Sequence, residues 1–158
     1  VVKAPSLATN EGMVLMDSTL ILDHAERLAG PARSLMPPEG RRRDEALRVI
    51  GLALAANENA VQNRDERNLR PAENQHLPWL DRVRGQLLKA YAALESEAAQ
   101  QSAWFGGSRL MQPDVTVAVG WRFARSVAPE IATEAEFPHL AAHSARAETL
   151  PAFVETDF

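Results

Sequence analysis

The stretch PDVTVAVGWRFAR, residues 113–125, decides the fold class, because its two readings lead to different proteins. Val115, Val117, Val119 and Trp121 alternate with Thr116, Ala118 and Gly120 as the residues of a half-buried strand do, and the branched valines suit that reading. Asp114 directly after Pro113 is equally good as a helix entrance, and a helix buried on every side is also apolar throughout. Periodicity alone leaves both readings open.

The sequence around this stretch is helical. Before it, a long helix is expected from about Asp44 to Asn68, with Leu47, Ile50, Leu54 and Val61 on one stripe and Val49, Leu52 and Ala56 on a neighbouring one. So broad an apolar surface implies burial on more than one side. Arg70-Pro71 ends that helix, and Leu80, Val83, Leu87, Tyr91 and Leu94 form a regular stripe on a second helix starting near Pro78. After it, Phe137-Pro138 opens a short helix through Leu140, Ala141, Ser144 and Ala147, which stops before Pro151.

The N-terminal end is organised differently. Ser6-Leu7-Ala8-Thr9 and Met13-Val14-Leu15 are short strands around Asn10-Glu11-Gly12, a hairpin signal because the turn requires residues that tolerate positive φ. An isolated hairpin is marginal in water, so further partners are expected for it. From Asp17-Ser18 a helix runs through Leu20, Ile21, His24, Ala25 and Leu28 to Gly30-Pro31, and the breakers Pro31, Pro37, Pro38 and Gly40 mark a linker. The expected organisation is therefore residues 1–30, a linker at 31–43 and a helical region at 44–158.

Composition excludes several functions. With 158 residues, 46% hydrophobic, the chain is long enough for a well-buried core, and a net charge of −4 argues against nucleic acid as its main partner. Arg41-Arg42-Arg43 is followed at once by Asp44-Glu45 and is read as a solvated face. Without cysteine there is no disulfide, thiolate metal site or cysteine nucleophile. No apolar run reaches the roughly 18 residues of a membrane span, and a cytoplasmic location is expected. His139 and His143 are an i, i+4 pair without a third ligand, so no metal is assigned. Tyr91, Trp79, Trp104 and Trp121 are assigned to core packing.

Five segments in order, KAPSL, GMVLMDSTLILDHAERL, LRPAENQHLPWLDRVRGQL, QPDVTVAVGWRF and FPHLAAHSARAETLPAF, resemble the glutathione transferase superfamily across nearly the whole chain. The resemblance implies a mostly α fold: an all-helical C-terminal domain preceded by a β-hairpin and helix, the remnant of a thioredoxin-like α/β domain. It also resolves residues 113–125 as the family's buried core helix. In the family, a serine or threonine three residues before the acid of that helix completes a capping box. Here that position is Met111, so Asp114 is expected to act as a structural cap with half of its box missing, rescued by Ser108 or by backbone groups.

The resemblance further implies a glutathione site. Pro5 would follow a cis bond, Ala4 would pair through its backbone with the cysteinyl unit, and Lys3 would lie within reach of the tripeptide's carboxylates. Asp17 would pair with the γ-glutamyl ammonium, and Ser18 with the helix N-terminus would hold the carboxylate. Read without the resemblance, Asp17 or Ser18 is simply a helix cap and Pro5 a trans residue at a strand start.

In the family a thioredoxin-like segment precedes the proline strand and carries the tyrosine, serine or cysteine that activates the glutathione thiol. The resemblance thus implies such a segment before Val1, and no catalytic residue is assigned to this sequence. The implied activity is conjugation of glutathione to an electrophilic small molecule, held near Arg64, Asp65 and Arg67 of the long helix, in a homodimer. The alternative is a non-catalytic interaction or scaffold module of the same fold.

Overall fold

The computed structural model describes residues 4–156. In chain order these form β1 (Ser6–Ala8), β2 (Val14–Met16), α1 (Ser18–Ala29), α2 (Arg41–Asn68), a 3-10 turn at Ala72–Asn74, α3 (Leu77–Ala98), α4 (Gln112–Val127), α5 (Pro138–Ala147) and α6 (Pro151–Val154). They separate into two compact units, residues 1–37 and 38–158.

In the first unit β1 and β2 pair antiparallel, Ser6 with Met16, Leu7 with Leu15 and Ala8 with Val14. The turn is closed by the Thr9 N–H on the Met13 carbonyl at 2.8 Å and by the Gly12 N–H on the Thr9 carbonyl at 2.9 Å, with Gly12 at a φ of 80°. The second strand begins one residue later than Met13 and runs on to Met16, because the turn uses Met13 for its own closure. Helix α1 follows β2 directly and has no buried residue, leaving Leu20 and Leu28 well exposed.

The second unit holds the core, and residues 113–125 are helical within it. Helix α4 buries Pro113, Asp114, Val117, Ala118, Gly120, Trp121 and Ala124, a spacing of three and four, and leaves Val119 half exposed. A strand would have put Val115, Val117, Val119 and Trp121 on one face. The β preference of valine spans only about 1 kcal/mol and yields to burial between helices. Helix α4 packs on α2 and α5, and α3 packs on the same two helices. Helix α3 buries Leu80, Val83, Leu87, Tyr91 and Leu94, the expected stripe, together with Ala90. Tyr91 stands edge-on to Trp121 at 5.3 Å and beside Phe137 at 5.6 Å, and its hydroxyl donates to the Gly120 carbonyl at 3.3 Å. This aromatic group joins α3, α4 and the entrance of α5.

Of the two stripes expected on α2, Val49, Leu52 and Ala56 face the core, and the one through Leu47 and Leu54 requires correction. The buried face of α2 is Ala46, Val49, Ala53, Ala56 and Ala60, continued by Asn63 and Glu66, whereas Leu47 and Leu54 point outward. Alanines let the backbones of α3 and α4 approach closely, so the small residues take the inner face although the leucines are more hydrophobic.

The entrance of α4 is held by Asp114, which is fully buried. One carboxylate oxygen accepts the Met111 N–H at 2.8 Å and the other accepts the Phe105 N–H at 2.7 Å. The acceptor that a serine or threonine would offer the Asp114 N–H is replaced by a backbone group, the Met111 carbonyl at 3.0 Å, and the Phe105 N–H gives the carboxylate a second donor. The loop folds so tightly here that a Cβ on Gly106 would collide with the Met111 side chain and lie 2.9 Å from the Arg109 carbonyl. The Asp114→Asn variant places an amide against one of those N–H donors. It should lose about 1–3 kcal/mol of folding free energy in denaturant titration; an unchanged midpoint would show that the carboxylate does not hold the loop.

Candidate functional site

The pair Ser6–Met16 ends the hairpin register, so the chain leaves the sheet side by side on both strands, through Pro5 and Ala4 on one and Asp17 and Ser18 on the other. Four of the five residues expected at the glutathione site are thereby gathered at one end of the hairpin; Lys3 lies outside the described residues. The Ala4–Pro5 peptide is cis, and all four residues are exposed.

Asp17 has a backbone that few side chains adopt. Its φ of 77° and ψ of 125° make it the one non-glycine residue at positive φ among those described, a conformation that costs on the order of 1–3 kcal/mol. This sharp bend turns the chain from β2 into α1. The Asp17 side chain accepts the Thr19 N–H at 2.9 Å and its carbonyl accepts the Ile21 N–H at 3.0 Å, so it is the N-cap. Ser18 is the first helical residue, and among the described residues its hydroxyl has no hydrogen-bond partner. The first-turn N–H groups of a helix have no carbonyl within it and carry partial positive charge. An exposed carboxylate, a free hydroxyl and a helix N-terminus therefore converge, and this set can hold a ligand bearing both an ammonium and a carboxylate.

In the second unit, a hollow of about 420 Å³ is lined by Gln62, Asp65, Glu66, Leu69, Arg70 and Trp79. Of the three long-helix residues expected near an acceptor, only Asp65 lines it. Arg64 is paired with Asp65 at 3.0 Å, and Arg67 donates to the Asn63 side chain at 2.8 Å. Trp79 lines this hollow and is 39% exposed, which corrects its assignment to the core; it sits in the first turn of α3. Trp104 is also outside the core, half-buried beneath the Arg146 guanidinium at 5.4 Å.

The sequence reading missed Glu95 and gave His143 no role beyond its pairing with His139. Glu95 of α3 accepts the N–H groups of His139 and Leu140, both at 2.9 Å, and so caps α5 from another helix. His143 is buried, with Nε2 3.1 Å from the Asp114 carbonyl and 3.9 Å from Asp114 Oδ1, and packs on Trp104 and Phe105. Its place four residues after His139 was the available signal. Burial pushes the His143 pKa below the usual imidazole value and raises that of Asp114, against the hydrogen bonds from Met111, Phe105 and Gly106 that pull the latter back. Burial likewise raises the Tyr91 phenol well above its usual range.

Residues 78–146 match the glutathione S-transferase C-terminal domain. No curated protein matches the sequence. Among solved structures, a glutathione transferase family member from Pseudomonas fluorescens Pf-5 with bound S-(propanoic acid)-glutathione is 28% identical, with a TM-score of 0.86 over 98% of this chain and 76% of that one. A glutathione S-transferase from Methylobacterium radiotolerans, in complex with glutathione sulfonate, is 27% identical, with a TM-score of 0.88 over 98% of this chain and 71% of that one. Maleylpyruvate isomerase from Pseudomonas aeruginosa shares the fold at 19% identity, with a TM-score of 0.77 over 98% of this chain and 79% of that one. Residues 78–146 are thus similar to a glutathione S-transferase C-terminal domain, and the chain shares the fold of these glutathione transferases.

Two outcomes follow from this geometry. Asp17→Gly should stay within a few tenths of a kcal/mol of the parent, because glycine relieves the positive φ and is a fair cap. Asp17→Ala should lose about 1 kcal/mol or more; equal stability of the two variants would contradict the strained cap. For His143, the folded pKa lies below the ordinary 6.5, so its contribution is complete above pH 6.5 and is lost as pH falls below it. Unfolding free energies measured from pH 8 to pH 5 should show this loss, and His143→Gln should flatten it; an equal decline in the variant would assign the effect elsewhere.

Proposed function

We propose that the end of the hairpin binds glutathione and that the protein is a glutathione transferase. The observation that carries this reading is the Asp17-Ser18 entrance of α1, with its strained acid and free hydroxyl, next to the exposed Ala4–Pro5 peptide. The Asp17 carboxylate pairs with the γ-glutamyl ammonium, using the oxygen that Thr19 leaves available. The γ-glutamyl carboxylate sits on the Ser18 hydroxyl and the α1 N-terminus. Ala4 pairs through its backbone with the cysteinyl unit, as an added strand does, and Lys3 serves the tripeptide's carboxylates. Relatives crystallised with glutathione derivatives support the ligand.

The reaction is attack of the glutathione thiolate on an electrophilic carbon, forming an S–C bond as a leaving group departs or a double bond takes up a proton. The residue that activates the thiol is not assigned within this sequence. In this proposal residues 1–30 form the glutathione-binding part, 31–43 the linker and 44–158 the helical domain. The protein acts in the cytoplasm as a homodimer, for which the outward Leu47 and Leu54 of α2 supply apolar surface.

Calorimetric titration of the protein expressed from its full coding sequence tests the site. Ser18→Ala should weaken glutathione binding by about 1–3 kcal/mol, roughly 5- to 150-fold. Asp17→Asn, which keeps the cap because asparagine caps as well as aspartate, should lose affinity without losing stability. Parental affinity in both variants would reject the site and favour a non-catalytic module.

A further inference from the structure

Arg146 has no carboxylate partner among the described residues, although 21 acids are present in the sequence. Its guanidinium is fixed by a hydrogen bond to the Ala103 carbonyl and by the Trp104 ring beneath it, and these leave further N–H donors unused. It lines a cavity of about 60 Å³ together with Gln101, His139, His143 and Phe105. On α5 the three basic groups recur at positions 139, 143 and 146, a spacing that puts them on one face of the helix.

We propose that this cavity binds one small anion. The volume decides the class of ligand: a single water requires about 10–15 Å³ measured in this way, so 60 Å³ takes several waters or one chloride, formate or phosphate-sized ion, and neither a nucleotide nor a tripeptide. The charge of the lining decides its sign. Arg146 is permanently cationic, two imidazoles stand beside it, and the Gln101 amide can donate. Among the described residues no carboxylate lines the cavity.

The acids on the neighbouring helices are engaged elsewhere. Glu95 of α3 uses both oxygens on the N–H groups of His139 and Leu140. Asp114 of α4, whose Oδ1 is 3.9 Å from His143, uses its oxygens on Met111 and Phe105. Glu148, just beyond α5, is paired with Arg122 of α4 at 2.8 Å. His143 is oriented before any ligand arrives, by the Asp114 carbonyl at 3.1 Å and by the rings of Trp104 and Phe105. The anion thus meets a permanently charged guanidinium and a placed imidazole, and it offsets the repulsion between Arg146 and a protonated His143.

The site is separate from the proposed glutathione site and stands or falls independently of it. The test is a titration of the histidine ring resonances by NMR with sodium chloride, formate and phosphate. Ionic strength is held constant with gluconate, an anion too large for the cavity. Saturable shifts of His139 and His143 are expected with at least one of the three ions, with affinity at least tenfold higher at pH 5.5 than at pH 8. Arg146→Gln should abolish saturation. His139→Asn, which changes an exposed ring and leaves the backbone cap intact, should lower affinity several-fold without altering the fold. Shifts that follow ionic strength alone, or that are the same in gluconate, would overturn the proposal and leave a water-filled cavity.

Discussion

Complete burial of the Asp114 carboxylate obliges the chain to supply donors for both of its oxygens, and the way this is met organises the helical unit. The donors come from Met111 at the entrance of α4 and from Phe105 in the preceding loop. The loop is thereby drawn over the helix entrance, which places Trp104 and Phe105 against His143 and brings α5 onto α4. A buried carboxylate without these bonds would cost several kcal/mol, so the loop and the helix are ordered together.

The same logic, at a smaller scale, shapes the proposed ligand site. Asp17 caps a helix whose first N–H groups have no partner within the helix, but it does so from a backbone conformation that disfavours any residue except glycine. A helix cap alone does not require this bend, because most caps lie in the extended region. Strain of this kind persists where the surroundings fix it, and at ligand sites it aims side chains. The bend puts a carboxylate and a hydroxyl on successive residues at a helix N-terminus, beside the strand that carries Ala4 and Pro5.

Much of the helical architecture was legible because its signals are local. The α3 stripe reads directly from Leu80 to Leu94, and Gly12 and the breakers after Leu28 punctuate the first unit as their chemistry requires. Residues 113–125 were ambiguous from periodicity because valine and small residues alternate there, and only family resemblance chose the helix. On α2, Leu47 and Leu54 misled: the inner face is selected by how closely α3 and α4 approach, a tertiary requirement that favours alanine. The Glu95 cap of α5 spans 44 residues of sequence, and no local pattern announces it. Trp79 and Trp104 were placed in the core by hydrophobicity, yet Trp79 is partly exposed in the first turn of α3 and Trp104 is half-buried beneath Arg146.

The central claim, that the hairpin end and the α1 entrance together recognise glutathione, is tested most directly by a crystal structure of the protein with glutathione bound. The account predicts the γ-glutamyl carboxylate within hydrogen-bond distance of the Ser18 hydroxyl and the α1 N-terminus, its ammonium on Asp17, and the cysteinyl backbone paired with Ala4. Glutathione bound elsewhere, with Asp17 and Ser18 left in contact with solvent alone, would contradict it.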